Sequence, residues 1–174
     1  GATDEMIRIA ESVKPDVVSL VPERREERTT EGGLDVIGQR GPIAEAVAMA
    51  RASGIKVSLF INPDPAVVEA AAAIGAQQIE LHTGEYCHAC ESGHPATQAQ
   101  AELLRIAAAA KRGREIGLEV AAGHGLTRHN VGPVVAFPEV AEVNIGHSVI
   151  ADAIFLGLDR SVRAVRAAIE RARG

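Results

Sequence analysis

Short apolar runs alternate along the chain with stretches in which apolar residues recur at helical spacing. The runs of strand length are Asp16–Val21, Ile55–Ile61, Gln78–His82, Leu118–Ala122 and Glu142–Ile145. Between them, apolar residues fall on single helix faces, as Ile43, Val47 and Ala50 do. Repeated strand–helix units of this kind predict an α/β protein with a parallel sheet and right-handed crossovers.

Helix boundaries agree with this reading. Asp64-Pro65 is typical of a helix start, Gly75 of a helix end, and Asp159 is expected to cap a final helix. A further helix signal begins at Thr3, with no strand before it. Five such units fit either an open, doubly wound sheet or part of a (β/α)8 barrel, which usually needs about 250 residues. On pattern alone the open sheet fits the 174 residues slightly better.

Composition narrows the class of protein. Hydrophobic residues make up 47% of the chain but aromatic residues only 2%, so the core must be built from Ala, Val, Ile and Leu. The net charge is −5, which argues against a nucleic-acid partner or an anionic membrane. No apolar run approaches the roughly 18–20 residues that span a bilayer. We therefore expect a soluble, cytoplasmic protein of one domain, residues 1–174.

Titratable residues and glycines stand at three predicted strand ends. Glu80 and His82 share one face of their strand, because side chains alternate, while Ile79 and Leu81 take the other. Next come His124-Gly125 and then Gly146-His147, which leads straight into an apolar helix. Loops after the carboxyl ends of parallel strands line active sites, and a helix amino terminus attracts anions. Each feature also has a purely structural interpretation: Glu80 as a solvated carboxylate, and the Gly-His pairs as turn residues.

Two other segments could carry chemistry. The long charged connection after Val21 contains Thr29 and the pair Gly32-Gly33. The Thr29 hydroxyl and the backbone amides of the two glycines could hold a phosphate. A solvated loop without a binding role is the equal alternative. Cys87, Cys90 and His94 have the residue types of a zinc or redox site. Because they lie in a Gly/Ser/Pro-rich segment with no second ligand pair elsewhere, we read them as loop residues and expect no metal.

A set of ordered motifs resembles one family, the bacterial pyridoxine 5'-phosphate synthases of deoxyxylulose-dependent vitamin B6 biosynthesis. The motifs are Leu20-Val-Pro-Glu-Arg-Arg, Thr29-Thr-Glu-Gly-Gly-Leu-Asp-Val, Val57-Ser-Leu-Phe-Ile, Ile79-Glu-Leu-His-Thr-Gly, Ala122-Gly-His-Gly-Leu-Thr, His129-Asn-Val and Val143-Asn-Ile-Gly-His. Val143 is a mild departure, since leucine is expected there. The motifs span nearly the whole chain, so their combination is far more specific than any one of them.

The resemblance implies a (β/α)8 TIM barrel, with this chain covering about strands four to eight. The implied transferase reaction condenses 3-amino-2-oxopropyl phosphate with 1-deoxy-D-xylulose 5-phosphate to give pyridoxine 5'-phosphate, phosphate and water, without cofactor or metal. By the same resemblance, His124 is the catalytic acid and Glu80 stabilises charged intermediates. Gly125, Gly146 and His147 hold the aminoketone phosphate, and Thr29 contacts the other substrate. The partners implied are these two phosphorylated substrates and further copies of the chain, in a homo-oligomer of dimers such as an octamer.

Two catalytic groups of the family, a histidine and a glutamate, have no counterpart here, and we expect them to precede Gly1. The chain is thus expected to be the C-terminal part of a barrel and inactive alone. Two alternatives stay open: another phosphate-binding barrel lyase or isomerase, or a non-catalytic fragment. Barrel aldolases often use a strand-end lysine, whereas the three lysines here, Lys14, Lys56 and Lys111, fall elsewhere.

Overall fold

Five parallel strands form the centre of the fold. The structure is a computed structural model and describes residues 1–22, 32–91 and 93–174. The strands are β1 (Val17–Leu20), β2 (Lys56–Ile61), β3 (Gln78–His82), β4 (Glu119–Gly123) and β5 (Val140–Asn144). All five predicted strands are confirmed. The largest difference in their bounds is the start of β5, at Val140 rather than Glu142.

The strand order decides between the two sheet types that the pattern left open. Neighbouring strands are consecutive in the chain, β1-β2-β3-β4-β5, and every pair is parallel. In a doubly wound sheet the order reverses near the middle, which puts helices on both faces. The pattern-based preference for an open, doubly wound sheet is therefore wrong. When parallel strands follow one another in chain order and all crossovers have the same hand, the connecting helices lie along one face of the sheet. The other face is then free of these helices.

Helices connect the strands and flank the sheet. Within the described residues they are α1 (Asp4–Val13), α2 (Arg40–Ala52), α3 (Pro65–Ala73), α4 (Gly84–Ala89), α5 (Ala96–Glu115), α6 (Val131–Val135), α7 (His147–Leu156) and α8 (Leu158–Arg173). As predicted, Asp64 caps α3, with its side chain accepting a hydrogen bond from the Ala66 amide. Asp159 does not cap α8. It lies inside the first turn, after the cap position at Gly157, and pairs with Arg163.

The core lies between the sheet and the helices that cross it. Leu59, Ile79, Leu81 and Val120 are fully buried on this face. At Gly113 of α5 an added Cβ would lie 3.0 Å from Cγ2 of Val120, so the absent side chain lets α5 pack closely on the sheet. The core is aliphatic, as the composition predicts. None of the helices in the described part of the chain is long and apolar enough to cross a membrane.

Candidate active site

The carboxyl ends of the strands surround one cavity of about 820 Å³. Phe60 of β2, Glu80 of β3 and Asn144 of β5 line it, together with the segment that follows β4, residues 124–127. The segment that follows β5, from Ile145 to Ser148, also lines it. The sheet topology thus collects in one place the polar strand ends that are far apart in the sequence.

Glu80 meets Asn144 across a gap left by small residues on β4. The two strands that carry them are not neighbours, since β4 lies between them. The Nδ2 of Asn144 donates a hydrogen bond of 2.9 Å to Oε2 of Glu80. An added Cβ at Gly123 would lie 2.2 Å from Oε1 of Glu80, which means that the carboxylate occupies the space above this glycine. Gly123 therefore makes the contact between β3 and β5 possible.

The protonation of Glu80 is shifted by its surroundings. The Glu80 side chain is partly buried, and this burial raises the pKa of its carboxyl group. The nearby negative charge of Glu142 raises this pKa further. The hydrogen bond from Asn144 acts in the opposite direction and lowers this pKa, although it does not outweigh burial. A carboxyl group whose pKa is raised toward neutral pH is better suited to exchange protons with a ligand.

His124 lies at a sharp turn directly after β4. Its φ is +83°, a left-handed value that non-glycine residues seldom adopt, and Gly125 follows with φ +77°. The His124 ring packs beside the His82 ring, with centroids 4.9 Å apart, and Phe60 packs edge-on against His82 at 5.1 Å. The turn and the ring packing direct this imidazole to the cavity that also contains the Glu80 carboxylate.

The amino terminus of α7 forms another wall of the cavity. Gly146 is at its cap position, and His147 and Ser148 begin its first turn. The first amides of a helix have no partner within it, so together with the helix dipole they suit a phosphate group. The Ser148 hydroxyl donates a hydrogen bond of 2.7 Å to the carbonyl oxygen of Leu126. This bond joins the first turn of α7 to the segment that follows His124.

Most predicted site residues come together. Glu80, His124, Gly125, Gly146 and His147 all line the cavity. Thr29 lies outside the described residues. Gly32 and Gly33 also line the cavity, but the Gly33 amide donates to Oδ1 of Asn62 at 2.9 Å. The Gly33 amide thus already has a partner, and the expectation that the amides of Gly32-Gly33 could hold a phosphate stays a prediction.

The cysteine segment differs from the prediction. Cys87 is buried in α4 rather than exposed in a loop, and burial raises the pKa of its thiol to about 12. Thiolates, not neutral thiols, bind metals and exchange disulfides. Over the described ranges, no group of three or more His, Cys, Asp or Glu side chains is arranged to hold a metal ion. Cys87 instead packs next to Gly125: a Cβ added at Gly125 would lie 2.9 Å from the Cβ of Cys87.

Sequence reasoning missed Asn144 and Thr83. Asn144 stands two residues before Gly146 and would have been found only from the register of β4 and β5. Thr83 follows His82 and is fully buried, with its hydroxyl near the carbonyl oxygens of Gly123 and His124. The signal for Thr83 was weak, because a threonine at a strand end is usually only a helix cap.

Comparison with known proteins identifies the family of this chain. The family described as pyridoxal phosphate biosynthesis protein PdxJ matches residues 1–171. The chain belongs to the PdxJ family. The relatives it resembles include a protein of Xanthobacter autotrophicus, 52% identical over 99% of this chain and 67% of its own length. Another, from Synechococcus sp., is 54% identical over 97% of this chain and 69% of its own length. Both are named pyridoxine 5'-phosphate synthase, so the resemblance found in the sequence motifs is confirmed.

Solved structures resemble this PdxJ chain in fold. The Amycolatopsis orientalis BexX/CysO complex contains a chain that matches with a TM-score of 0.61 at 18% identity, over 95% of this chain and 59% of that one. An HpcH/HpaI aldolase from Desulfitobacterium hafniense matches with a TM-score of 0.57 at 16% identity, over 99% and 71%. At such low identity the likeness concerns the arrangement of strands and helices and not the chemistry.

Proposed function

We propose that this chain supplies part of the active site of a pyridoxine 5'-phosphate synthase, the activity for which its relatives are named. The substrates are 3-amino-2-oxopropyl phosphate and 1-deoxy-D-xylulose 5-phosphate, and the products are pyridoxine 5'-phosphate, phosphate and water. One observation carries the proposal: a carboxylate of raised pKa, an imidazole and a helix amino terminus line the same cavity. The reaction needs imine formation, loss of phosphate, proton transfers and ring closure, and these groups supply part of the acid–base chemistry and phosphate binding that it requires.

In this proposal His124 moves protons. Loss of phosphate and of water both require a group that donates a proton to a leaving oxygen, and histidine does so near neutral pH. The left-handed turn at His124 brings the ring to the cavity, and Gly125 lets a substrate approach the backbone closely. General acids of this kind contribute about 10²–10⁴ in rate.

In the same proposal, Glu80 stabilises the positive charge of the intermediates. An imine formed from an amine and a ketone is cationic when protonated, and a carboxylate in a partly desolvated cavity stabilises such a charge more strongly than water does. The Asn144 amide keeps one carboxylate oxygen in place at 2.9 Å. Because burial raises the pKa of Glu80, the same group could also take up a proton as the ring closes.

The first turn of α7 binds the phosphate of the aminoketone. Gly146 lines the cavity, and an added Cβ there would have no atom within 4 Å, so there is open space beside this residue. The imidazole of His147 lies beside it and could hydrogen bond to a phosphate oxygen. The phosphate end of the substrate would then be fixed at one wall and the amine directed toward Glu80 and His124.

The lyase and isomerase alternative receives less support. A Schiff-base aldolase requires a lysine that reaches its substrate. Lys56 lies at the amino end of β2, the far end of the sheet from the cavity, and forms an ion pair with Glu119. Lys14 follows α1 and Lys111 lies in α5. None of the three lysines lines the cavity.

We also propose that the sheet is an arc of a (β/α)8 barrel, equivalent to about strands four to eight. Its consecutive, all-parallel strand order supports this. The polar face, with Gln78 bonded to Glu142 and Glu80 to Asn144, would then face the barrel interior. A crystal structure of the protein that carries this chain tests the proposal. A closed ring of eight strands is expected, and a flat sheet with free edges would contradict it.

Assembly into a homo-oligomer is a separate proposal. Helix α7 has no buried residue, and its Ile154 and Phe155 side chains are 78% and 88% exposed. Apolar side chains grouped in this way usually mark a contact surface. Light scattering on the protein and on Phe155→Asp tests this: a multimer that dissociates in the variant is expected, and a monomer in both would contradict it. A cytoplasmic location stays a prediction.

The activity itself is tested with two variants of the protein that carries this chain. His124→Ala and Glu80→Ala should fold normally, as judged by circular dichroism. Each should lose about a hundredfold or more of the rate of pyridoxine 5'-phosphate formation. Near-normal rates in both variants would contradict the assigned roles, whereas absence of product from the unaltered protein would contradict the function.

A further inference from the structure

The backbone of His124 requires an external support. Its φ of +83° is left-handed, and Lys14 is the only other non-glycine residue with positive φ among the residues that the structure describes. Lys14 is the residue that ends α1, where such a conformation is common. His124 has no such helix end before it. A strained conformation of this kind persists only when neighbouring groups hold it.

Thr83 supplies the most direct support. Its side chain is fully buried, and Oγ1 lies 2.8 Å from the carbonyl oxygen of Gly123 and 2.6 Å from that of His124. The Thr83 amide also donates to the Gly123 carbonyl at 2.9 Å. One residue therefore binds two successive carbonyl groups, one on each side of the His124 Cα, where the backbone has the left-handed conformation.

Cys87 adds a second contact from the same helix. Its amide donates to the Thr83 carbonyl at 2.9 Å, and its Sγ lies 3.5 Å from the His124 carbonyl oxygen. Burial raises the pKa of the Cys87 thiol to about 12, so the thiol keeps its proton and can donate it. Neither Thr83 nor Cys87 lines the main cavity, so neither can touch a substrate there.

We propose that Thr83 is a positioning residue for His124. Its hydroxyl fixes the His124 carbonyl, and this fixes the direction in which the imidazole leaves the backbone. The inference rests on the proposed function insofar as His124 transfers protons in ring formation. It goes beyond that function because Thr83 acts only through another residue. Loss of the hydroxyl should therefore slow the chemical steps and leave substrate binding nearly unchanged.

Two substitutions separate the hydroxyl from the packing of the side chain. Thr83→Val keeps the shape and removes the donor, whereas Thr83→Ser keeps the donor and removes a methyl group. In the protein that carries this chain, Thr83→Val should lower kcat about tenfold to a hundredfold, the range expected for a displaced catalytic group, with KM nearly unchanged. Thr83→Ser should retain a kcat close to that of the unaltered protein. An unchanged kcat in Thr83→Val, or an equal loss in both variants, would overturn the proposal.

A second readout does not depend on activity. In protein labelled at histidine, the ring signals of His124 are assigned by their disappearance in His124→Ala. They should move in Thr83→Val and stay in place in Thr83→Ser; the same ring signals in all three proteins would overturn the proposal. If the unaltered protein makes no pyridoxine 5'-phosphate, the proposed function fails, and the ring signals still decide the role of Thr83.

Cys87→Ala covers the case in which Thr83→Val does not fold. This variant removes the weaker contact to the same carbonyl group and leaves Thr83 in place. It should lower kcat by a smaller factor, move the His124 ring signals in the same direction and leave KM unchanged. If Thr83→Val unfolds and Cys87→Ala changes neither kcat nor the ring signals, Thr83 has a structural role only and the proposal is overturned.

Discussion

Gly123→Ala is the substitution that addresses the geometry of the site most sharply. The added Cβ would lie 2.2 Å from Oε1 of Glu80 and 3.0 Å from the carbonyl oxygen of Asn144. Gly123 does not have a positive φ, so its backbone accepts alanine and only crowding matters. The Glu80 carboxylate is the flexible partner, so it should swing away and lose its hydrogen bond to Asn144.

The size of the effect follows from this geometry. Crowding a well-packed site usually costs about 1–3 kcal/mol of stability. For a chain of this length each kcal/mol lowers Tm by about 2–4 °C, so the variant should stay folded at room temperature. A catalytic group displaced by about 1 Å can cost about a hundredfold in rate. The expected result is therefore a large loss of kcat/KM with a moderate loss of Tm.

The assay compares Gly123→Ala with Gly132→Ala, a matched control. At Gly132 the nearest atom to an added Cβ is 3.6 Å away, which is an ordinary contact, so this variant should behave like the unaltered protein. A double variant with Glu80→Gln tests whether the two changes act through the same group. If they do, the double variant should be no slower than Glu80→Gln alone. Additive losses, or a fully active Gly123→Ala, would refute the reasoning.

Two further predictions concern Glu80 and Ser148. Burial raises the pKa of Glu80 above 4.5, so the Glu80 carboxyl group keeps its proton to a higher pH in the folded protein than in the unfolded chain. The stability that the protonated carboxyl group contributes is present below the unfolded pKa and is lost as pH rises through the folded pKa. Glu80→Gln does not ionise, so its Tm relative to the unaltered protein should increase from acidic to neutral pH in scanning calorimetry; a constant difference would contradict this. Ser148→Ala loses the hydrogen bond to Leu126 and should lower kcat/KM about fivefold, as expected for a bond of about 1 kcal/mol. The control is Ser161→Ala, which loses a bond of the same 2.7 Å length outside the cavity; equal losses of kcat/KM in both would contradict a specific role.

Much of the fold could be predicted because strand and helix periods are local properties. The bounds of β3 were predicted as found, since Gln78–His82 is a short segment of alternating polar and apolar residues between turn residues. Helix α4 was missed. It has only six residues, and the Gly/Ser/Pro-rich segment that follows made the whole stretch resemble a loop. A helix this short is held by tertiary contacts, here Tyr86 bonded to the Asn130 carbonyl, and a local pattern does not contain them.

The site was only partly predictable for a related reason. The positions of Glu80 and His124 at strand ends follow from the sequence, and parallel topology brings such ends together. The pairing of Glu80 with Asn144 depends on register, and the pairing of β4 with β5 shifts between Val120 and Ala121. A slip of one residue would turn Asn144 to the other face. The sequence does not reveal this shift, so the group that holds Glu80 could not be predicted.

The central claim is that this cavity forms pyridoxine 5'-phosphate. The most direct measurement mixes the purified protein that carries this chain with 3-amino-2-oxopropyl phosphate and 1-deoxy-D-xylulose 5-phosphate and follows product and released phosphate together. The account predicts that both appear in equal amounts, and that both are lost in His124→Ala. Absence of product from the unaltered protein, or undiminished product in His124→Ala, would contradict it.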